Sequence, residues 1–201
     1  MSVRRLASDQ PPAFSFTPDN LAWATAKMAE YPPGKQASAV IPILWRVQEQ
    51  QGWISEPAIR CVGEMLDMAY IRVYEVATFY TQFQLAPVGK TAHIQVCGTT
   101  PCMLRGAKDI IGVCKSRIHA EQFHHSADGG FSWEEVECLG ACVNAPMVMI
   151  GNDTYEDLTA ASFGAVLDGF AAGKPPQPGP QIDRQLSAPV GGESTLTDPK
   201  L

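Results

Sequence analysis

The stretch HIQVCGTTPCMLRGA, residues 93–107, decides the fold class. His93, Ile94, Gln95 and Val96 alternate polar and apolar as a half-buried strand does, and this strand runs straight into Cys97. From Met103 to Arg117 the period changes, with Met103, Ala107, Ile110 and Cys114 recurring on one face of a predicted helix. Strand, cysteine loop and helix in that order make an α/β unit. Downstream, Asp128-Gly129-Gly130 turns a hairpin whose returning strand ends at Cys138. Met147 to Ile150 reads as a buried strand, Gly151-Asn152-Asp153 as a turn, and Leu158 to Ala172 as a closing helix. Residues 87–172 are therefore expected to form one modest α/β domain.

Upstream the pattern is helical throughout. Thr17-Pro18-Asp19 supplies an N-cap, a proline at the first helical position and an acidic first turn. Val40, Ile43, Leu44 and Val47 mark a second helix stopped by Gly52. Ser55-Glu56-Pro57 opens a third, with Ala58, Cys61, Met65 and Ala69 as its expected apolar face, and Val73, Val76, Ala77 and Tyr80 mark a fourth. Residues 17–86 thus read as a small helical bundle behind a flexible stretch, residues 1–16. Residues 173–201 are rich in Pro, Gly and small polar residues without apolar periodicity, which predicts a tail that is disordered or draped on a partner.

The 201 residues are 45% hydrophobic and carry a formal net charge of −6, so a phosphate-backbone partner is not expected. Apolar runs such as Ala39 to Trp45 fall far short of the ~20 residues needed to span a bilayer, and MSVRRLASDQPPAF lacks an apolar signal core. No GxGxxG, P-loop or HExxH occurs, so no nucleotide site is expected on this chain.

In a reducing compartment the six cysteines are ligands, catalytic thiols or core residues before they are disulfides. Cys97-Gly-Thr-Thr-Pro-Cys102 and Cys138-Leu-Gly-Ala-Cys142 form two pairs, each in a loop at the end of a predicted strand. Two pairs of thiolates are what the two tetrahedral irons of a 2Fe-2S cluster require. Gly98 and Gly140 can let amides approach the sulfurs, Thr99 or Thr100 can add a hydroxyl donor, and Cys102 at a helix N-terminus is expected to favour the thiolate. Glu134, Glu135 and Glu137 bring negative charge towards Cys138, which predicts a low reduction potential testable at Glu137. A four-cysteine zinc site has the same ligand count, though its usual pairs are C-x2-C. Cys61 and Cys114 lie on apolar helix faces and read as core thiols; His93, His119, His124 and His125 are too scattered to be a ligand set.

HIQVCGTTPCMLRGA, EVECLGACVNAPMVMI and the following YEDLT resemble the thioredoxin-like 2Fe-2S ferredoxin subunit of respiratory complex I, NADH:quinone oxidoreductase. IPILWRVQEQQGWIS and YEVATFYTQFQLAPVGK are similar to that family's helical N-terminal region, so only the chain ends lie outside the resemblance. The resemblance implies a thioredoxin-like domain carrying one 2Fe-2S cluster on Cys97, Cys102, Cys138 and Cys142 at its loop rim. It also implies a partner subunit that binds NADH and FMN, further iron-sulfur subunits of a peripheral arm, and a place on the cytoplasmic side of a bacterial inner membrane (the matrix side in a mitochondrion). On this reading the chain is an enzyme subunit without its own catalytic residues. The alternatives are the equivalent diaphorase subunit of an NAD-linked hydrogenase or formate dehydrogenase, or a zinc-stabilised interaction module.

Overall fold

The computed structural model describes residues 5–184, together with 191 and 195. The chain divides into two compact units, with the division between Lys90 and Thr91. The first is helical. α1 (Pro18–Ala29) starts where the Thr17 hydroxyl accepts the Asn20 amide at 3.3 Å, with Pro18 already in helical geometry. A 3-10 turn at Gln36–Ala39 leads into α2 (Val40–Gln51), which Gly52 ends in the left-handed region at φ 85°. α3 (Glu56–Leu66) and α4 (Tyr70–Phe79) complete the bundle. Its core is drawn from Val40, Ile43, Leu44 and Val47 of α2, Ile59, Val62 and Leu66 of α3, and Val73 and Ala77 of α4.

Two expectations change here. The buried stripe of α3 is Ala58, Ile59, Val62 and Leu66, with Cys61 and Met65 at its margin and Ala69 exposed beyond its end. The helix stops earlier than the periodicity suggested, because Asp67 turns left-handed at φ 52° and the Met68 amide closes back on the Gly63 carbonyl at 2.9 Å. The stretch before α1 is also tied down where it is described. The Ala7 amide donates to the Leu85 carbonyl at 2.9 Å, Gln10 Oε1 accepts the Glu56 amide at 2.8 Å, and Leu6, Phe14 and Phe16 pack on the bundle core.

The second unit is an α/β domain on a sheet of order β2-β1-β3-β4-β5. Its strands are β1 (Ala92–Cys97), β2 (Phe131–Val136), β3 (Val148–Ile150), β4 (Asp153–Glu156) and β5 (Gly179–Pro180). β1 and β2 are parallel, so the chain must cross over between them, and it does so through α5 (Thr100–Leu104) and α6 (Ala107–Arg117). β3 pairs antiparallel with β1 and with β4, and α7 (Ala160–Ala171) follows behind a capping box between Thr159 and Ser162. Ile94, Val96, Trp133, Val148, Ile150 and Tyr155 from one face of the sheet pack against Ile110 and Cys114 of α6 and Phe163, Val166 and Leu167 of α7. The alternate residues form a polar layer. Glu134 Oε1 accepts Gln95 Nε2 at 2.8 Å and lies 3.1 Å from His93 Nε2, whose Nδ1 is 2.7 Å from the Ser132 hydroxyl.

The single helix expected from Met103 to Arg117 is broken. Gly106 sits at φ 112°, which a side chain rarely adopts, and it divides α5 from α6. Ala107, Ile110 and Cys114 keep the buried face, while Met103, on the other side of the break, is 44% exposed. Within the described residues, the proline-rich stretch after Gly173 is seated on the sheet. Gly179 and Pro180 pair in parallel with Tyr155 and Glu156, and the Gln181 amide donates to the Glu156 carbonyl at 2.9 Å. An open sheet edge orders such a chain without a core of its own, and proline's missing N–H is tolerated at an edge. The remainder of the expected tail, residues 185–201, lies outside the described residues apart from 191 and 195.

Candidate metal centre

Parallel pairing sets the site. Cys97 closes β1 directly beside Val136 of β2, so both strands end at one rim of the sheet and Cys138 follows two residues later. Cys102 is the third residue of α5, on the turn that leaves β1, and Cys142 opens a short 3-10 turn over Cys142–Asn144. Cys97 and Cys102 are each 1% exposed and lie with Ala107, Ala145 and Met147 in a small apolar cluster; Cys138 and Cys142 are exposed. All six thiols are free, Cys114 being fully buried on α6 and Cys61 half-buried on α3.

Within each pair the two thiols interact with each other. Cys138 and Cys142 have their sulfurs 3.5 Å apart. The Gly140 amide, the Cys142 thiol and the Thr99 hydroxyl hold Cys138 below the ordinary thiol range, and donating to Cys138 pushes Cys142 up. Burial raises Cys97, but the Thr99 hydroxyl, 3.3 Å from its sulfur, outweighs it together with the amides of Leu139 and Thr99 and the Cys102 thiol, leaving Cys97 lowered. Burial, reinforced by donation to Cys97, pushes Cys102 up to about 12 against the Met147 amide. That reverses the expectation for Cys102, since a five-residue helix offers little dipole to offset desolvation. The pairs also feel each other, for Cys97 raises both Cys138 and Cys142.

Amide and hydroxyl donors aimed at sulfur stabilise thiolate charge and tune whatever the thiolates hold. Gly140 serves by its φ of 91°, which turns its amide back towards Cys138. Gly98 serves differently: its backbone is not left-handed, and a Cβ there would lie 2.0 Å from a carboxylate oxygen of Glu135, which folds over the Cys97–Thr99 turn. Of the three glutamates, Glu135 is thus the one packed on the cysteine loop, while Glu134 is committed to Gln95 and His93, and Glu137 is exposed. The residue types gave no sign of this, because strand register selects Glu135. The amides of Leu139 and Met147 carried no residue-type signal either.

Among the described residues, no three or more His, Cys, Asp or Glu side chains gather around a single metal-ion position. The four thiols form two pairs at one rim, and two pairs of sulfurs are what two metal ions with two sulfur ligands each require.

Residues 24–171 match the family model for the thioredoxin-like [2Fe-2S] ferredoxins, and the chain belongs to that family. It is 61% identical, over all of its own length and 74% of the relative's, to an NADH-quinone oxidoreductase subunit of Rhizobium meliloti (strain 1021). It is 51% identical to the corresponding NADH-quinone oxidoreductase subunit of Rickettsia bellii (strain RML369-C), over 77% of this chain and 93% of that one. Among solved structures, an NAD+-reducing [NiFe]-hydrogenase in the H2-reduced state shares the fold, with a TM-score of 0.57 at 17% identity over 68% of this chain. This chain spans only 23% of that hydrogenase chain.

Proposed function

We propose that Cys97, Cys102, Cys138 and Cys142 hold one 2Fe-2S cluster, and that the chain is the electron-transfer subunit of an NADH-quinone oxidoreductase. The observation that carries the ligand assignment is the pairing: two pairs of thiols at one rim of the sheet, with amide and hydroxyl donors on the sulfurs. Such a cluster would be held by the four sulfurs, with the Thr99 hydroxyl and the amides of Leu139, Gly140 and Met147 available to carry thiolate charge. When bound, such a cluster accepts and releases single electrons. A structural zinc site is disfavoured by the spacing, since its usual cysteine pairs are C-x2-C and these are C-x4-C and C-x3-C.

The bacterial relatives support the quinone oxidoreductase over a hydrogenase or formate dehydrogenase as host, because those matches reach 61% and 51% identity whereas the hydrogenase likeness is one of fold. On this reading NADH and FMN belong to a partner subunit, and further iron-sulfur subunits lie beyond it. Val143, 84% exposed beside Cys142, and Leu104, 77% exposed two residues from Cys102, are apolar side chains at the rim suited to meeting such a partner. No helix among the described residues is long and apolar enough to cross a membrane. As a subunit of such an oxidoreductase the chain would be peripheral, on the side where NADH is oxidised.

The test is a visible spectrum of the purified chain with iron and acid-labile sulfide analysis. Charge-transfer bands that bleach on reduction, with two irons and two sulfides per chain, are expected, and a colourless zinc-loaded protein would refute the assignment. Host identity is read from the subunits that co-purify.

A further inference from the structure

The outer cysteine pair stands on a loop with little support of its own. Cys138, Cys142 and Val143 are exposed, and the loop's internal bonds are short-range, the Asn144 amide to the Ala141 carbonyl at 2.9 Å and the Ala145 amide to the Cys142 carbonyl at 3.4 Å. Its far end is held from the turn after β4. The Asp157 amide donates to the Asn144 carbonyl at 2.7 Å, and the Leu158 amide to the Pro146 carbonyl at 3.1 Å.

Onto that junction comes the C-terminal segment. β5 and the Gln181 amide seat it along β4, which delivers Arg184 to Asn144 and Asp157. The Arg184 guanidinium donates to Asn144 Oδ1 and to both carboxylate oxygens of Asp157, at 3.3 and 3.1 Å. The amide nitrogen of Asn144 donates in turn to Glu156 Oε2. Both ends of the Asn144 side chain are therefore occupied, which fixes its orientation two residues beyond Cys142. Asp157 is itself largely buried and left-handed at φ 53°, so it is held in place to receive the arginine.

We infer that residues 179–184 form a strap that fixes the loop of the outer cysteine pair, with Arg184 as the positioning residue. The strap lies beyond residues 24–171, the span matched by the family model. The inference rests on the reading of Cys138 and Cys142 as cluster ligands. The physical reason is that an exposed ligand loop exchanges between closed and open forms, and a metal centre is lost from the open form. One guanidinium nitrogen, Nη1, held between the Asn144 amide oxygen and the Asp157 carboxylate ties loop, sheet edge and C-terminal segment into one unit.

The experiment compares full-length wild type, Arg184→Gln, Arg184→Lys and Arg117→Gln, the last removing an ion pair to Asp168 between α6 and α7. The first readout is the rate at which the visible bands bleach in an iron chelator, with the electron paramagnetic resonance spectrum of the reduced protein beside it. The second is the alkylation rate of Cys142 in metal-free protein. Arg184→Gln is expected to bleach about fivefold faster, to shift the resonance spectrum and to expose Cys142 to faster alkylation. Arg184→Lys should recover part of each effect, and Arg117→Gln none. Wild-type behaviour of Arg184→Gln in both readouts, or equal acceleration in Arg117→Gln, would overturn the strap. A wild-type chain without iron and sulfide would overturn the cluster reading instead, and the alkylation arm would still test the strap. Should Arg184→Gln fail to fold, Arg184→Lys and Asn144→Ser carry the same two measurements.

Discussion

Replacing Thr99 with valine removes one hydroxyl and changes almost nothing else. Thr99 is the N-cap residue of α5, yet its side chain makes no capping bond, so the substitution does not unravel the helix. The hydroxyl serves sulfur, 3.3 Å from Cys97 and also within reach of Cys138, so it stands between the two pairs. A hydrogen bond to a charged acceptor contributes roughly 1.5–3 kcal/mol, and only the part that strengthens when an electron is added bears on the potential. With that charge spread over several sulfurs, a differential of about 0.5–1 kcal/mol is reasonable, which for a one-electron couple is about 20–45 mV. Thr99→Val is therefore expected to lower the midpoint potential by that amount, because the reduced, more negative state loses more. The measurement is a redox titration followed by electron paramagnetic resonance, with Thr100→Val as control, since Thr100 is exposed and has no such contact described. A Thr99→Val potential that is unchanged or raised, or an equal shift in Thr100→Val, would refute the reasoning.

Charge lying against the same loop lowers the potential when present, as loss of the hydroxyl does, so its removal should act in the opposite direction. Glu135→Gln is expected to raise the potential by about 45 mV, the equivalent of ~1 kcal/mol for a charge ~8 Å away at an effective dielectric near 40, and Glu137→Gln by less than half as much. The same titration refutes the placement of Glu135 if Glu137→Gln shifts further. In metal-free protein at neutral pH, iodoacetamide should label Cys138 first, before Cys142, with Cys102 and Cys114 protected, as peptide mapping would read. Cys138 is exposed and its lowered pKa keeps thiolate present below the ordinary thiol range, whereas Cys102 and Cys114, pushed up to about 12, stay protonated until strongly alkaline pH. Early labelling of Cys114 would show that the packing of α6 against the sheet is looser than described.

What could be read from the chain was what neighbours in sequence decide. The Thr17 cap, the apolar stripe of α2, β1 running into Cys97 and the spacing of both cysteine pairs are each written within a dozen residues. The misreadings are of two kinds. At Gly106 and Asp67 the periodic pattern continued past a left-handed residue that ended the helix, and the faces assigned to Met103 and Ala69 went with it. Elsewhere the deciding partner is distant in sequence. Glu135 rather than Glu137 lies over the cysteine loop because parallel pairing with β1 sets it beside Val96, and β5 is ordered by the edge of β4.

The same distinction separates the two halves of the site. Cys97 and Cys102 are set by a strand end and a helix turn and are buried with Met147, so the local pattern that made them legible also holds them in place. Cys138 and Cys142 stand on a loop whose far end is fixed by partners well removed in sequence, the turn after β4 and then Arg184. A ligand pair held by local structure withstands most substitutions elsewhere in the chain, whereas one held by distant partners is sensitive to each of them. Substitutions that leave the cysteines untouched but labilise the centre should therefore concentrate around Asn144, Asp157 and Arg184. The β1–α5 turn carries the inner pair on secondary structure that those residues do not touch.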